Sequence, residues 1–210
     1  MIGKISMDKV KDKLVIQSFN DSADIKNQII SSGEYKKIIF MANKISSSIE
    51  NGGKLLICGN GGSAADAQHL AAELLVRLKP LNNREGIPAI ALAMDSSTMT
   101  ACGNDFGYEF MYERMVETLG LPGDILLGIT TSGNSKNVNL ALEAAKKNKI
   151  TSFALLGSSG GKSKDLCDEY FLVPSSVTAR IQESHITAGH AIMELVENNL
   201  LDSGYISIKK

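Results

Sequence analysis

From residue 54 onward the chain repeats one pattern five times: a short, nearly continuous apolar run, a turn, and a stretch of helical character. The runs are Lys54–Cys58, Pro88–Leu92, Ile125–Ile129, Ile150–Leu156 and Tyr170–Val173. A strand with one wet face alternates apolar and polar residues, whereas runs without that alternation are buried on both faces. Such strands separated by helices predict a five-stranded parallel sheet covered on both sides, a doubly wound α/β domain. The helices are expected at Ala64–Leu78, after Leu92 with a break near Gly103–Gly107 and a second part through Leu119, at Lys136–Asn148, and from about Thr178 to Leu201. A short helix is expected after the flexible loop Gly157–Gly161.

Ahead of the sheet, Asp8 to Asn51 holds almost no glycine and no proline. Apolar residues at helical spacing predict two helices that break near Ser31-Ser32-Gly33 and end at Asn51-Gly52-Gly53. Their apolar stripe has to be buried on the sheet layer or on another subunit.

The balance of 22 basic and 23 acidic residues, interspersed along the chain, gives a net charge of −1. That argues against broad electrostatic binding of nucleic acid or a membrane surface. Cys58, Cys102 and Cys167 are widely spaced and form no CxxC pair, as expected of reduced thiols in a cytosolic protein. The N-terminus carries no apolar core of signal-peptide length, and no apolar run approaches a membrane span. A soluble, cytoplasmic protein is expected.

In doubly wound sheets ligands bind outside the carboxyl ends of the strands, and two polar loops fall there. The first, Gly59-Asn60-Gly61-Gly62-Ser63, joins a strand to a helix, an arrangement that aims backbone N–H groups and a helix N-terminus at an anion. Ser63 stands where a helix cap belongs, and its hydroxyl serves either the helix or a ligand. The second loop sets the hydroxyls of Thr130, Thr131, Ser132 and Ser135 around Gly133, again at a helix start. Many neutral donors at a positive dipole end suit a phosphate monoester, while the plainer reading of either loop is a turn that caps its helix. Neither loop is a nucleotide fingerprint. Ala64 stands where G-x-G-x-x-G needs its third glycine, and the P-loop lysine is missing, so no nucleotide cofactor is expected.

His69 and Glu73 lie four apart on the first of these helices and therefore share a face. The final helix carries Arg180, Gln182, Glu183, His185 and His190. At about 100° per residue, Gln182 and His190 lie about 80° apart and Glu183 and His190 only about 20° apart, so periodicity alone favours Glu183 as the partner of His190. His185 points away from His190 and is expected to be structural. A histidine and a carboxylate placed together can share a metal or act as acid and base.

Taken together, the glycine loop with His69 and Glu73, Gly103-Asn104-Asp105, the loop Thr130–Ser135, and Arg180-Ile181-Gln182-Glu183 with His185 and His190 resemble the sugar isomerase (SIS) family. Within it they resemble the phosphoheptose isomerases, over about residues 35–200. The resemblance implies a three-layer αβα sandwich of flavodoxin-like strand order, with an SIS domain at 53–202, an N-terminal helical extension at 1–52 that serves packing or oligomerisation, and a tail at 203–210. It implies conversion of sedoheptulose 7-phosphate to D-glycero-D-manno-heptose 7-phosphate, the first step of bacterial ADP- or GDP-heptose synthesis for lipopolysaccharide or capsule. Ser63, Thr130, Ser132 and Ser135 match the family's phosphate-binding hydroxyls, with Thr131 beside them. Asn60, Gly61, Gly62, Asn104 and Asp105 match positions that hold the sugar. Glu73 and His190 match the acid–base pair, and His69, Glu73, Gln182 and His190 match the ligands of one zinc ion per subunit found in some members. This precedent selects Gln182 over Glu183, with Gln182 also facing substrate. Ala179 departs from the aspartate of some members. Family members are homotetramers with active sites at subunit contacts.

Some SIS-fold proteins are regulatory modules, including one that associates with a bacterial replication initiator and shares the Arg-Ile-Gln-Glu stretch. That group lacks the equivalents of Glu73 and His190, which favours the enzyme here. Another isomerase, acting on a pentose, hexose or amino-sugar phosphate, is disfavoured by the two paired sets on the helices and by the missing extra domains.

Overall fold

Strands form at all five apolar runs. In the computed structural model, which describes residues 2–92 and 95–209 with side chains from Lys9 onward, they are β1 Leu55–Gly59, β2 Ala89–Ala91, β3 Ile125–Thr130, β4 Thr151–Gly157 and β5 Glu169–Val173. All pair in parallel in the order β2-β1-β3-β4-β5, with Leu56 beside Leu126, Leu127 beside Phe153 and Leu155 beside Phe171.

The period of two along each strand divides the core. Leu55, Ile57, Leu127, Phe153 and Phe171 face one side, under α2 (Tyr35–Glu50), α3 (Gly62–Leu75) and α7 (Thr178–Asp202). Leu56, Cys58 and Leu126 face the other, with α4 (Ser96–Asp105), α5 (Met111–Leu119) and α6 (Lys136–Lys147). Continuous apolar runs are what a sheet needs when helices cover both of its faces. Burial pushes the Cys58 thiol up to about 12, so it is an inert core group.

Of the two N-terminal helices, α2 buries Met41, Ala42, Ile45 and Ile49 completely against the sheet layer and α7. The longer α1 (Ile2–Ser32) docks through Ile25 and Ile29, while Val10, Leu14 and Phe19 stay 64%, 66% and 76% exposed. At the other end of the chain, residue 208 bridges Arg84 in antiparallel fashion, Ser207 N–H donates to Glu85, and Ile206 is buried.

Several boundaries differ from expectation for local reasons. α3 begins at Gly62 with Gly61 as its cap residue at φ +57°, so Ser63 lies inside the first turn rather than at the cap. It stops at Leu75, three residues early, where Arg84 takes up the carbonyls of Glu73 and Leu74. α4 runs through Gly103 to Asp105 and breaks at Phe106-Gly107, where Gly107 has φ +106°. The short helix expected after Gly161 is a 3-10 turn, Lys162–Asp165.

Candidate active site

The connections from β1 and β3, which are neighbours, leave toward opposite faces of the sheet. They open a crevice at the carboxyl ends, the usual ligand position in this architecture. Both polar loops border it. In the first, Asn60 is engaged on both ends of its amide: Nδ2 donates to Asn137 Oδ1 at 2.8 Å, and Oδ1 accepts from Asn137 Nδ2 at 2.8 Å and from Tyr108 Oη at 2.7 Å. Asn60 thus ties the glycine loop to α6 and to the turn before α5. Its neighbours Gly61 and Gly62 are exposed, and Ser63 is nearly buried.

The second loop leaves its hydroxyls largely uncommitted to the helix. Ser135 is the cap residue of α6, yet its side chain makes no capping bond; its Oγ lies 3.0 Å from Thr130 Oγ1. Gly133 N–H donates to Thr130 Oγ1 and Asn134 N–H to the exposed Ser132. Hydroxyls turned toward one another at a helix N-terminus, rather than onto its amides, are available to a ligand anion. Ser163 donates through its backbone N–H and its hydroxyl to the Gly133 carbonyl, which fixes the loop from below.

Deeper along α3, His69 Nε2 lies 3.3 Å from Glu73 Oε1 and 2.7 Å from His190 Nε2 of α7. The imidazoles meet edge to face with centroids 4.9 Å apart. Two ring nitrogens at that distance need one proton between them, so one ring donates while the other accepts. The approach rests on Gly189, where a Cβ would sit 2.6 Å from Leu70 Cδ1. The three donors, two imidazole nitrogens and a carboxylate oxygen, lie within 4.8 Å of one another. That donor set suits a zinc-type cation and leaves a coordination position open. A tetrahedral ion spreads nitrogen ligands to about 3.3 Å, so the rings would part slightly to hold one.

Glu183, favoured by helical arithmetic, is not the partner of His190. It pairs with Arg180, whose Nη1 donates to Ser18 O of α1 at 2.7 Å. The two positions share an angle but not a height, and at Glu183 the neighbour is α1, not α3. Gln182 lies against the glycine loop, with its Nε2 2.5 Å from where a Cβ on Gly62 would stand. His185 is wholly buried and away from the cluster; burial pushes its imidazole down to about 4, opposed by its approach to the Leu156 backbone. Asn104 and Asp105 hydrogen-bond to each other on the exposed end of α4.

Sequence reasoning missed Asp66, one turn before His69. Burial raises its carboxyl above the ordinary value, against the pull of His69 and His190, and its Oδ2 has no hydrogen-bond partner among the described residues. Its i−3 spacing from His69 was the available signal. Tyr108 and Asn137 carried none, because their contact with Asn60 is long-range.

Comparison with known proteins agrees with this fold. The family model described as "SIS domain" matches residues 18–157. A phosphoheptose isomerase of Leptospira biflexa is 46% identical over 189 residues, covering 90% of this chain and 96% of that protein. One from Chlorobium phaeobacteroides is 49% identical over 187 residues, covering 89% and 82% respectively. The structure of phosphoheptose isomerase GmhA from Neisseria gonorrhoeae superposes with a TM-score of 0.83 at 38% identity, over 89% of this chain and 98% of that one. The chain belongs to the SIS domain family and, within it, to the phosphoheptose isomerases.

Proposed function

We propose that this protein isomerises sedoheptulose 7-phosphate to D-glycero-D-manno-heptose 7-phosphate through an enediol, the first step toward ADP- or GDP-heptose. The observation that carries the reading is the convergence of His190, from α7, with His69 and Glu73 of the helix that begins at the glycine loop. A ketose-to-aldose conversion moves one proton between C1 and C2 and another between the oxygens. Glu73 is the base at carbon, and His190 is the acid–base at oxygen. Ser63, Thr130, Thr131, Ser132 and Ser135 hold the phosphate, and Gly61, Gly62 and Gln182 line the sugar with Asn104 and Asp105. Because the Asn60 amide is already engaged, its part in holding the sugar falls to the backbone.

Zinc fits the donor set, with His69, Glu73 and His190 as ligands and the Gln182 amide as the fourth. Such an ion would take the place of the proton shared by the rings and stabilise enediolate charge as a Lewis acid. The carboxylate has two oxygens, so binding through one leaves the other to act as base. Exposed Val10, Leu14 and Phe19 on α1 support a homotetramer in which this face is covered. No described helix is long and apolar enough to cross a membrane, and a cytoplasmic enzyme is the reading we adopt.

A coupled assay on sedoheptulose 7-phosphate tests the proposal. Wild-type turnover that falls by about 10²- to 10⁴-fold in Glu73→Gln, with the fold retained, is the expected result. Absence of wild-type turnover, before and after zinc addition, would overturn it.

A further inference from the structure

Arg84 and Glu197 form an ion pair at zero side-chain exposure, with Arg84 Nε 2.6 Å from Glu197 Oε2. The acid–base mechanism makes no use of it. The remaining donors of Arg84 do not go to solvent. Nη2 donates to the backbone carbonyl of Glu73 at 2.9 Å, and Nη1 donates to the carbonyls of Leu74 at 2.9 Å and Glu85 at 2.8 Å. Asn82 Nδ2 completes the Glu197 carboxylate at 2.6 Å.

Glu73 sits in the last turn of α3, and the final carbonyls of any helix lack intrahelical partners, so that turn frays unless something caps it. Here the cap is a guanidinium whose rigid fork reaches two successive carbonyls. The guanidinium is anchored to α7 through Glu197, two turns beyond His190. The pair therefore joins the turn that carries Glu73 to the helix that carries His190, two turns along α7 from the His69–His190 contact.

We infer that Arg84 and Glu197 are positioning residues that set the Glu73 carboxylate against His190. The inference rests on the isomerase reading for its kinetic consequence and on the hydrogen bonds alone for its geometric one.

A buried pair loses stability when one partner is removed but tolerates joint replacement by apolar residues of similar volume. The test is accordingly the double variant R84M/E197M, which keeps the packing and removes the cap. With a Tm near wild type, kcat on sedoheptulose 7-phosphate is expected to fall about 10- to 100-fold with KM changed less than about twofold. The chain has three histidines, so the imidazole NMR signals give a readout free of activity: those of His69 and His190 shift, and that of His185 does not. Should the double variant fail to fold, Arg84→Lys keeps the charge beside Glu197 without the fork and is expected to show the same split. Wild-type kcat together with unmoved His69 and His190 signals in the folded variant would overturn the inference. A wild-type protein without turnover sinks the isomerase reading instead, and the imidazole signals still decide this one.

Discussion

His185 predicts a specific acid sensitivity. It is wholly buried on α7, neither ring nitrogen makes a well-formed hydrogen bond, and burial lowers its titration from the ordinary 6.5 to about 4 in the folded protein. The folded state therefore holds this ring neutral where the unfolded chain would protonate it. Stability from this source is full above about pH 6.5 and is lost as pH falls from there toward 4, below which the loss levels off. Linkage sets the loss at about 2 kcal/mol at pH 5, equivalent to about 4–8 °C in Tm for a chain of this size. Urea unfolding of wild type and His185→Met at pH 7 and pH 5, at one protein concentration, isolates the effect, because the other titrating groups are common to both. Wild type should lose about 2 kcal/mol more than the variant on going to pH 5. Equal losses in the two proteins would refute the argument that the ring is buried neutral.

Gly133→Ala places a Cβ on the Gly160 carbonyl at φ +65°; it should destabilise by more than the about 1–2 kcal/mol of a left-handed residue alone, measured by thermal unfolding, and raise KM. Phe19→Glu on the exposed face of α1 should lower the sedimenting mass under conditions where wild type is an oligomer, leaving circular dichroism unchanged. Truncation after Asp202 removes Ile206, which is 5% exposed, and opens the cover over Arg84. A stability loss of about 2 kcal/mol in denaturant titration is expected.

What could be read from the chain is what depends on neighbours in sequence. The five strands announced themselves because burial on both faces forces unbroken apolar runs, and the two loops because glycine and hydroxyl residues clustered at strand ends. His69 and Glu73 were legible through i,i+4 spacing. The same arithmetic misled at Glu183, since an angle on one helix does not say which helix stands opposite at that height. Arg84 drew no reading from the sequence, and only the return of α7 and the tail makes it a buried cap. The first turn of α3 was misplaced because Gly61, with a backbone open to positive φ, starts the helix in place of the expected serine cap.

Gly189 gives the distance between the two imidazoles an unusual origin. The helices bearing His69 and His190 lie as close as they do because position 189 has nothing beyond its α-carbon to keep Leu70 away. The ruler for the imidazole spacing is thus a missing methyl group, one residue before His190 and touching no reactive atom. Selection for the reaction would be recorded there as a prohibition on size, and anyone retuning the spacing of the pair would begin at a residue that takes no part in it.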